Sequence, residues 1–199
     1  DRELRLQAEK ITNLFTTATT QVERGAYPYV RVEFEPGSSP AKITVKGISQ
    51  DLLSKKINGP TDPSCSVADF TSSTGYVVDE ITSHTLNDKT YIPVLAPKAG
   101  VTSTGSGGAI CFSKGGKYFK QHVSADIQGN IAFDKNTGQP TNNYVAVCHL
   151  KSTVCDPVNP HLFDDNYPTY LVRYSRFGLI TKYKWKRDEL NPPGDWSSQ

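Results

Sequence analysis

Apolar side chains recur near the start of the chain as Leu4, Ala8, Ile11, Phe15, Ala18 and Val22, in steps of three and four. That period returns each of them to one face of an α-helix, and Leu6 and Leu14 are expected to widen the stripe. Asp1, Arg2, Glu3, Glu9, Lys10, Asn13, Thr17 and Thr20 fall on the opposite face. No Gly or Pro interrupts the run before Gly25, which stands where a helix-terminating glycine belongs. About 22 helical residues within 1–24 would span roughly 33 Å. Its apolar side needs a cover, and the rest of the chain supplies a β pattern to make one.

Residues 29–35 alternate strictly, with Val30, Val32 and Phe34 on the inward side. Residues 36–40 form a Pro- and Gly-rich turn, and 42–47 return as a second strand. A loop over 58–64 leads to the first cysteine. Strands are expected at 75–81, 91–95, 109–112, 117–119, 130–133 and 144–149, with Lys114-Gly115-Gly116 as a hairpin turn. Residues 99–108 read as a flexible Gly, Ser and Thr loop, and 156–168 as a proline-broken segment. A last hairpin spans 170–185 about Phe177-Gly178, and the tail beyond it, with Pro192, Pro193 and Gly194, is expected to fray. The pattern predicts an α+β domain over 1–199: helix 1–24, a mostly antiparallel β body over 27–187, and a tail at 188–199.

Composition narrows the class only a little. With 36% hydrophobic and 21% charged residues the chain is globular, and 199 residues suit one domain. The net charge of +2 means that nucleic-acid binding would need a local patch. No apolar run approaches the ~20 residues that cross a membrane. The chain opens at Asp1 and contains no Met, so a mature or truncated product is expected, with any signal or anchor ahead of Asp1. Cys65, Cys111, Cys148 and Cys155 allow three pairings, and none lies in CxxC. Two disulfides in an oxidising compartment are expected rather than a metal site. Cys148 and Cys155 could close a hairpin, which leaves Cys65 with Cys111.

Three segments together resemble the type IV pilin and type II secretion pseudopilin superfamily, and within it the GspH/FimT/FimU minor pilins. They are the helix running into 29–35, Ile110-Cys111-Phe112-Ser113-Lys114-Gly115-Gly116, and the closing hairpin from Leu171 to Ile180. The family's prepilin peptidase site, early glutamate and transmembrane helix half would precede Asp1, and the sequence does not include them. The resemblance implies two small sheets beside the helix, and a subunit anchored in the inner membrane and facing the periplasm before it enters a filament. It implies other minor pilins or pseudopilins and the major pilin as partners. The face Leu4, Ala8, Ile11, Phe15, Ala18 and Val22 would then pack partly on the chain's own sheet and partly on neighbouring helices.

Candidate chemistry is sparse. Ser106-Gly107-Gly108 is similar to the nucleophile segment of trypsin-like proteases, yet Gly105 precedes it and no histidine has the required context. His84 sits in a stretch that reads as loop, and His122, His149 and His161 show no metal-ligand spacing. Residues 134–138 imitate an EF-hand start without its closing glutamate; the pilin-like resemblance allows Asp164-Asp165-Asn166 as oxygen ligands for calcium, with solvated loop carboxylates the favoured reading. No enzyme, cofactor or metal is therefore expected. The notable cluster is Lys182, Lys184, Lys186 and Arg187, with Arg173 and Arg176 across the same hairpin. In a strand the lysines would share one face at ~6.6 Å intervals, with Tyr183 and Trp185 packed inward. Such a ladder would either keep an edge soluble or track phosphates. The FimT branch binds DNA near this hairpin, so DNA uptake is the alternative function. A secreted β-rich binding module is the third.

Overall fold

The opening period folds as α1 (Arg2–Glu23), in a computed structural model that describes residues 2–35, 42–58, 65, 70, 78–91, 109–117, 120–122, 144–151, 167–186 and 195–199. Leu4, Ala8, Ile11, Phe15, Ala18 and Val22 are all between 0% and 2% exposed, and Leu14 joins them as expected. Leu6 does not, and is 44% exposed. At about 100° per residue it lies roughly 200° around the helix from Leu4, outside the buried arc. The helix ends as the sequence foretells. Gly25 takes φ +74°, its N–H bonds to the Val22 carbonyl, and the Ala26 N–H reaches back to Gln21, each at 3.1 Å. These two bonds form a Schellman closure, which a glycine in the left-handed region makes inexpensive.

Among the described residues two five-stranded sheets follow, and every described pairing is antiparallel. The first has the order β3 (Val78–Thr85), β2 (Lys42–Ile48), β1 (Tyr29–Glu35), β5 (Ala109–Ser113), β6 (Lys120–His122). The second runs β10 (Asp195–Ser198), β9 (Ile180–Lys186), β8 (Tyr170–Tyr174), β7 (Tyr144–His149), β4 (Thr90–Tyr91). Side chains alternate across a strand, so each sheet can give one face to the helix. Val30, Val32, Phe34, Ile43, Val45, Ile110 and Phe112 do so from the first sheet, and Val145, Val147, Tyr170, Val172 and Tyr174 from the second. At the centre the Phe15 ring stacks on Tyr174 at 5.0 Å and meets the edge of Phe112 at 6.1 Å. An α+β architecture with the helix against two small sheets is thus the observed fold.

The outer face of the first sheet has a cover of its own. It consists of α2 (Gln50–Ile57), which the hydrophobic pattern did not suggest, together with Cys65 and Phe70. Leu52 and Leu53 pack with Tyr29, Ile48, Ala109 and Cys111 in this second cluster. The Ser49 hydroxyl accepts the Leu52 N–H at 3.4 Å and starts the helix. Beneath the cover Arg31 is 2% exposed, bonded to Glu33 at 3.2 Å, while Lys46 reaches the same carboxylate at 2.7 Å.

Four further boundaries move. The segment with His84, expected as loop, is the end of β3, paired with Ile43. The turn after β5 is a 3-10 turn at Lys114–Gly116, Lys117 belongs to that turn rather than to the return strand, and the return strand is described at Lys120–His122. The tail does not wholly fray, because Asp195–Ser198 pairs with β9 as β10. The strand expected at 91–95 is described only as Thr90–Tyr91. Expectations for 92–95, 99–108, 118–119, 130–138, Cys155, 156–166 and Arg187 fall outside the described residues.

Candidate functional site

The basic hairpin, β8 with β9, is the polar site that the sequence proposes, beside the apolar face of α1. Its strand register decides which cations can act together. Val172 faces Lys182 and Tyr170 faces Lys184 across the pair, so these two lysines share the helix-side face. Arg173 faces Thr181 and therefore projects from the opposite face. The expected arrangement of Tyr183 and Trp185 inward and lysines outward is reversed relative to α1. Tyr183 and Trp185 pack against Ala146, Cys148 and Leu171 on the far side of the second sheet.

The lysines are also engaged. Lys182 has a side chain 11% exposed, and its ammonium donates to Glu9 Oε1 at 3.0 Å. Arg5 meets the same oxygen at 3.0 Å. Lys182 first and Arg5 second hold the Glu9 carboxyl below the usual carboxylate range. Lys184 lies 5.8 Å over the Tyr170 ring. Arg176, in the turn, donates to the Gly116 carbonyl at 3.0 Å and stacks 5.2 Å over Phe177. The side chain of Lys186 and all of Arg187 lie outside the described residues. The described cations are thus split between two faces and a turn rather than lined up in one track.

The six positions of the apolar helix stripe are spent on the chain's own sheets. A neighbour would instead meet the outer stripe, which carries Leu6, Lys10, Asn13 and Thr16. On its buried flank α1 makes a polar contact with the first sheet, Gln7 Oε1 to His84 Nε2 at 2.8 Å. Burial is the main cause, and Lys10 the second, that lowers the His84 pKa below the ordinary imidazole value. A depressed folded pKa means that the unfolded chain takes up the proton first as pH falls. The contribution of neutral His84 is therefore complete above about pH 6.5 and drains away as the pH drops through the folded value. His84→Gln keeps a polar partner for Gln7 and removes the titration. Its urea stability should fall less between neutral and mildly acidic pH than that of the parent, and equal slopes would contradict the assignment.

A cleft of about 410 Å³ opens at the front of α1, lined by Arg2, Glu3, Lys89, His149, Lys151 and Tyr167 among others. The His149 ring stacks on Tyr167 at 4.5 Å, and its Nδ1 accepts the Lys151 N–H at 3.1 Å, which leaves the proton on Nε2. Burial first and the Lys151 charge second push its pKa down. Among the described residues no three His, Cys, Asp or Glu gather in a metal-binding group. Cys65 and Cys111 are joined in a disulfide with Cα atoms 5.7 Å apart, and Cys148 is also disulfide-bonded.

The feature that sequence reasoning passed over is the hairpin turn itself. Phe177 is 70% exposed and Leu179 71%. The sequence shows both apolar residues around the Phe177-Gly178 turn, but nothing in their pattern marks them as one projecting knob. No family model, curated protein or solved structure matches the chain.

Proposed function

We propose that this chain is the exposed part of a minor pilin or pseudopilin, a non-catalytic subunit of a type IV pilus or type II secretion filament. One observation carries the reading: a 22-residue N-terminal helix has its apolar arc covered by two antiparallel sheets and its polar side open along its length. A helix held in that way can continue forward into an anchor while the β body presents a surface outside. Contacts between subunits would use Leu6, Lys10, Asn13 and Thr16 rather than the buried stripe. The Cys65–Cys111 disulfide fits an oxidising location on the outer side of the inner membrane. Other minor subunits and the major pilin are the partners on this reading, with no cofactor or metal.

DNA uptake, the second function considered, draws less support. Lys182 is bound to Glu9, Arg173 points to the other face, and Arg176 is tied to Gly116. The assembly reading is tested in cells that make the full-length product. Asn13→Cys is expected to give a crosslink to another filament subunit, and the product is expected in the membrane fraction. A freely diffusing product with no such crosslink would overturn it and favour a secreted binding module.

A further inference from the structure

The turn between β8 and β9 is held rigidly yet shows water two large apolar side chains. The Ser175 hydroxyl accepts the N–H groups of Phe177 at 3.2 Å and Leu179 at 3.0 Å. The Ser175 N–H donates to the Leu179 carbonyl at 2.9 Å, and the Gly178 N–H returns to Ser175 at 3.1 Å. Gly178 takes φ +84°, and a Cβ there would stand 3.1 Å from Thr19 on α1, so the turn is seated against the helix. Gly116 abuts the Arg176 carbonyl as closely, where a Cβ would come within 2.8 Å, which seats the 114–117 turn beside it. The knob is therefore pre-organised, and no ordering of the turn is needed before it binds.

What surrounds the knob indicates what it meets. Arg176 lies over the Phe177 ring, and Lys114 and Lys117 are exposed on the adjoining turn. At the nearby end of α1, Glu23 and Arg24 offset each other. The local field is positive around an apolar tip. Phe177 and Leu179 together offer on the order of 250 Å² of apolar surface, far short of the roughly 800 Å² that each partner gives to a stable protein interface. A convex tip of that size suits a fluid surface that closes around it. Leu6, another exposed apolar residue, lies 13 positions before Thr19 on α1, roughly 20 Å away along the axis, and does not enlarge the patch.

We propose that the Arg176–Leu179 turn is a membrane-contact site that inserts Phe177 and Leu179 into the headgroup region of an anionic bilayer, with Lys114 and Lys117 of the adjoining turn facing the lipid phosphates and Arg176 kept on the Gly116 carbonyl and the Phe177 ring. Apolar insertion and cationic attraction reinforce one another at such a surface. The proposal does not depend on the filament reading. The C-terminal end of α1, where the turn sits, is the end away from any segment that precedes Asp1.

Co-sedimentation with vesicles tests it directly. The protein should bind vesicles of phosphatidylcholine and phosphatidylglycerol in equal parts, and bind phosphatidylcholine alone much less. Phe177→Ser with Leu179→Ser should reduce that binding about tenfold or more. Lys114→Gln should reduce it about fivefold, and added salt should mimic that loss. Phe177→Trp supplies a fluorescence readout that does not rely on the double variant, and its emission should shift to the blue with anionic vesicles. Absent binding by the parent protein, or binding indifferent to the two apolar substitutions, would overturn the proposal. So would self-association abolished by the double variant, which names a second copy as the occupant. Duplex DNA binding lost with Arg176→Gln, without vesicle binding, would overturn it in favour of a nucleic-acid surface.

Discussion

Phe15→Ala should remove about 4 kcal/mol of stability, among the largest single-residue losses that this fold can show. Phe15 is completely buried near the middle of α1 and meets aromatic rings of both sheets. Its ring lies flat on Tyr174 of the second sheet at 5.0 Å, against the edge of Phe112 at 6.1 Å, and 6.3 Å from Phe34 of the first. Truncation deletes the transfer free energy of the ring and leaves a cavity that rigid strands on both sides cannot close. The three aromatic pairings go as well, each adding about 0.5–1.5 kcal/mol beyond burial. For a chain of this length, 1 kcal/mol moves the melting midpoint by roughly 2–4 °C, so a fall on the order of 8–16 °C is expected. Phe177→Ala, at a position 70% exposed, should leave the midpoint nearly unchanged and serves as the control. A Phe15 variant that melts within a couple of degrees of the parent would mean that α1 is not clamped between the sheets.

The features legible in the sequence are those set by local period. Six apolar residues in steps of three and four can be satisfied only by a helix, and Gly25 after them can serve only as its end. The alternation in 29–35 likewise fixes which side of β1 is buried, and Val30, Val32 and Phe34 face α1 as expected. Where the outcome depends on pairing, the sequence is silent. It states that Lys182 and Lys184 share a face but not which one, because β9 is amphipathic in both directions: lysines on one side, Tyr183 and Trp185 on the other. Register with Tyr170 and Val172 settles it, and Glu9 on a helix 173 residues earlier completes the charge pairing. The end strand β10 is hidden for the same reason. Asp195-Trp196-Ser197-Ser198 follows two prolines and a glycine, and becomes a strand by pairing with the edge of β9. Short α2 offers only Leu52, Leu53 and Ile57 as apolar marks, too few to make a helical period stand out, and Leu52 and Leu53 are held by the sheet beneath them. The knob at Phe177 and Leu179 was legible as composition but not as exposure, which follows from the turn's own hydrogen bonds.

Replacing both Cys65 and Cys111 by Ala should cost about as much as Phe15→Ala, chiefly through the unfolded chain and only secondarily through packing. The bond spans a sequence separation of 46 residues that includes β3 and all of the chain between it and β5. Closing a loop of that size removes conformational freedom worth roughly 4 kcal/mol from the unfolded ensemble. In the folded state the same bond fastens Cys65, with Phe70, over Tyr29, Ile48 and Ala109, so its loss also loosens the cover on the buried Arg31. Cys65 and Cys111 are both fully buried, so alanine at either position also gives up some packing. With a urea m-value of about 2 kcal/mol/M, the unfolding midpoint should fall by roughly 2 M. Substitution is the better instrument than reductant, because Cys148 is bonded as well and a thiol would open both links at once. Hydrogen exchange separates the two contributions. If the loss is carried by the unfolded state, amides of β1 and β5 lose protection in proportion to global stability. If it is carried by the cover, α2 loses protection first while β8 and β9 keep theirs. A midpoint shift below about 0.5 M would show that the hydrophobic contacts of Leu52, Leu53 and Phe70 hold this layer without the bond.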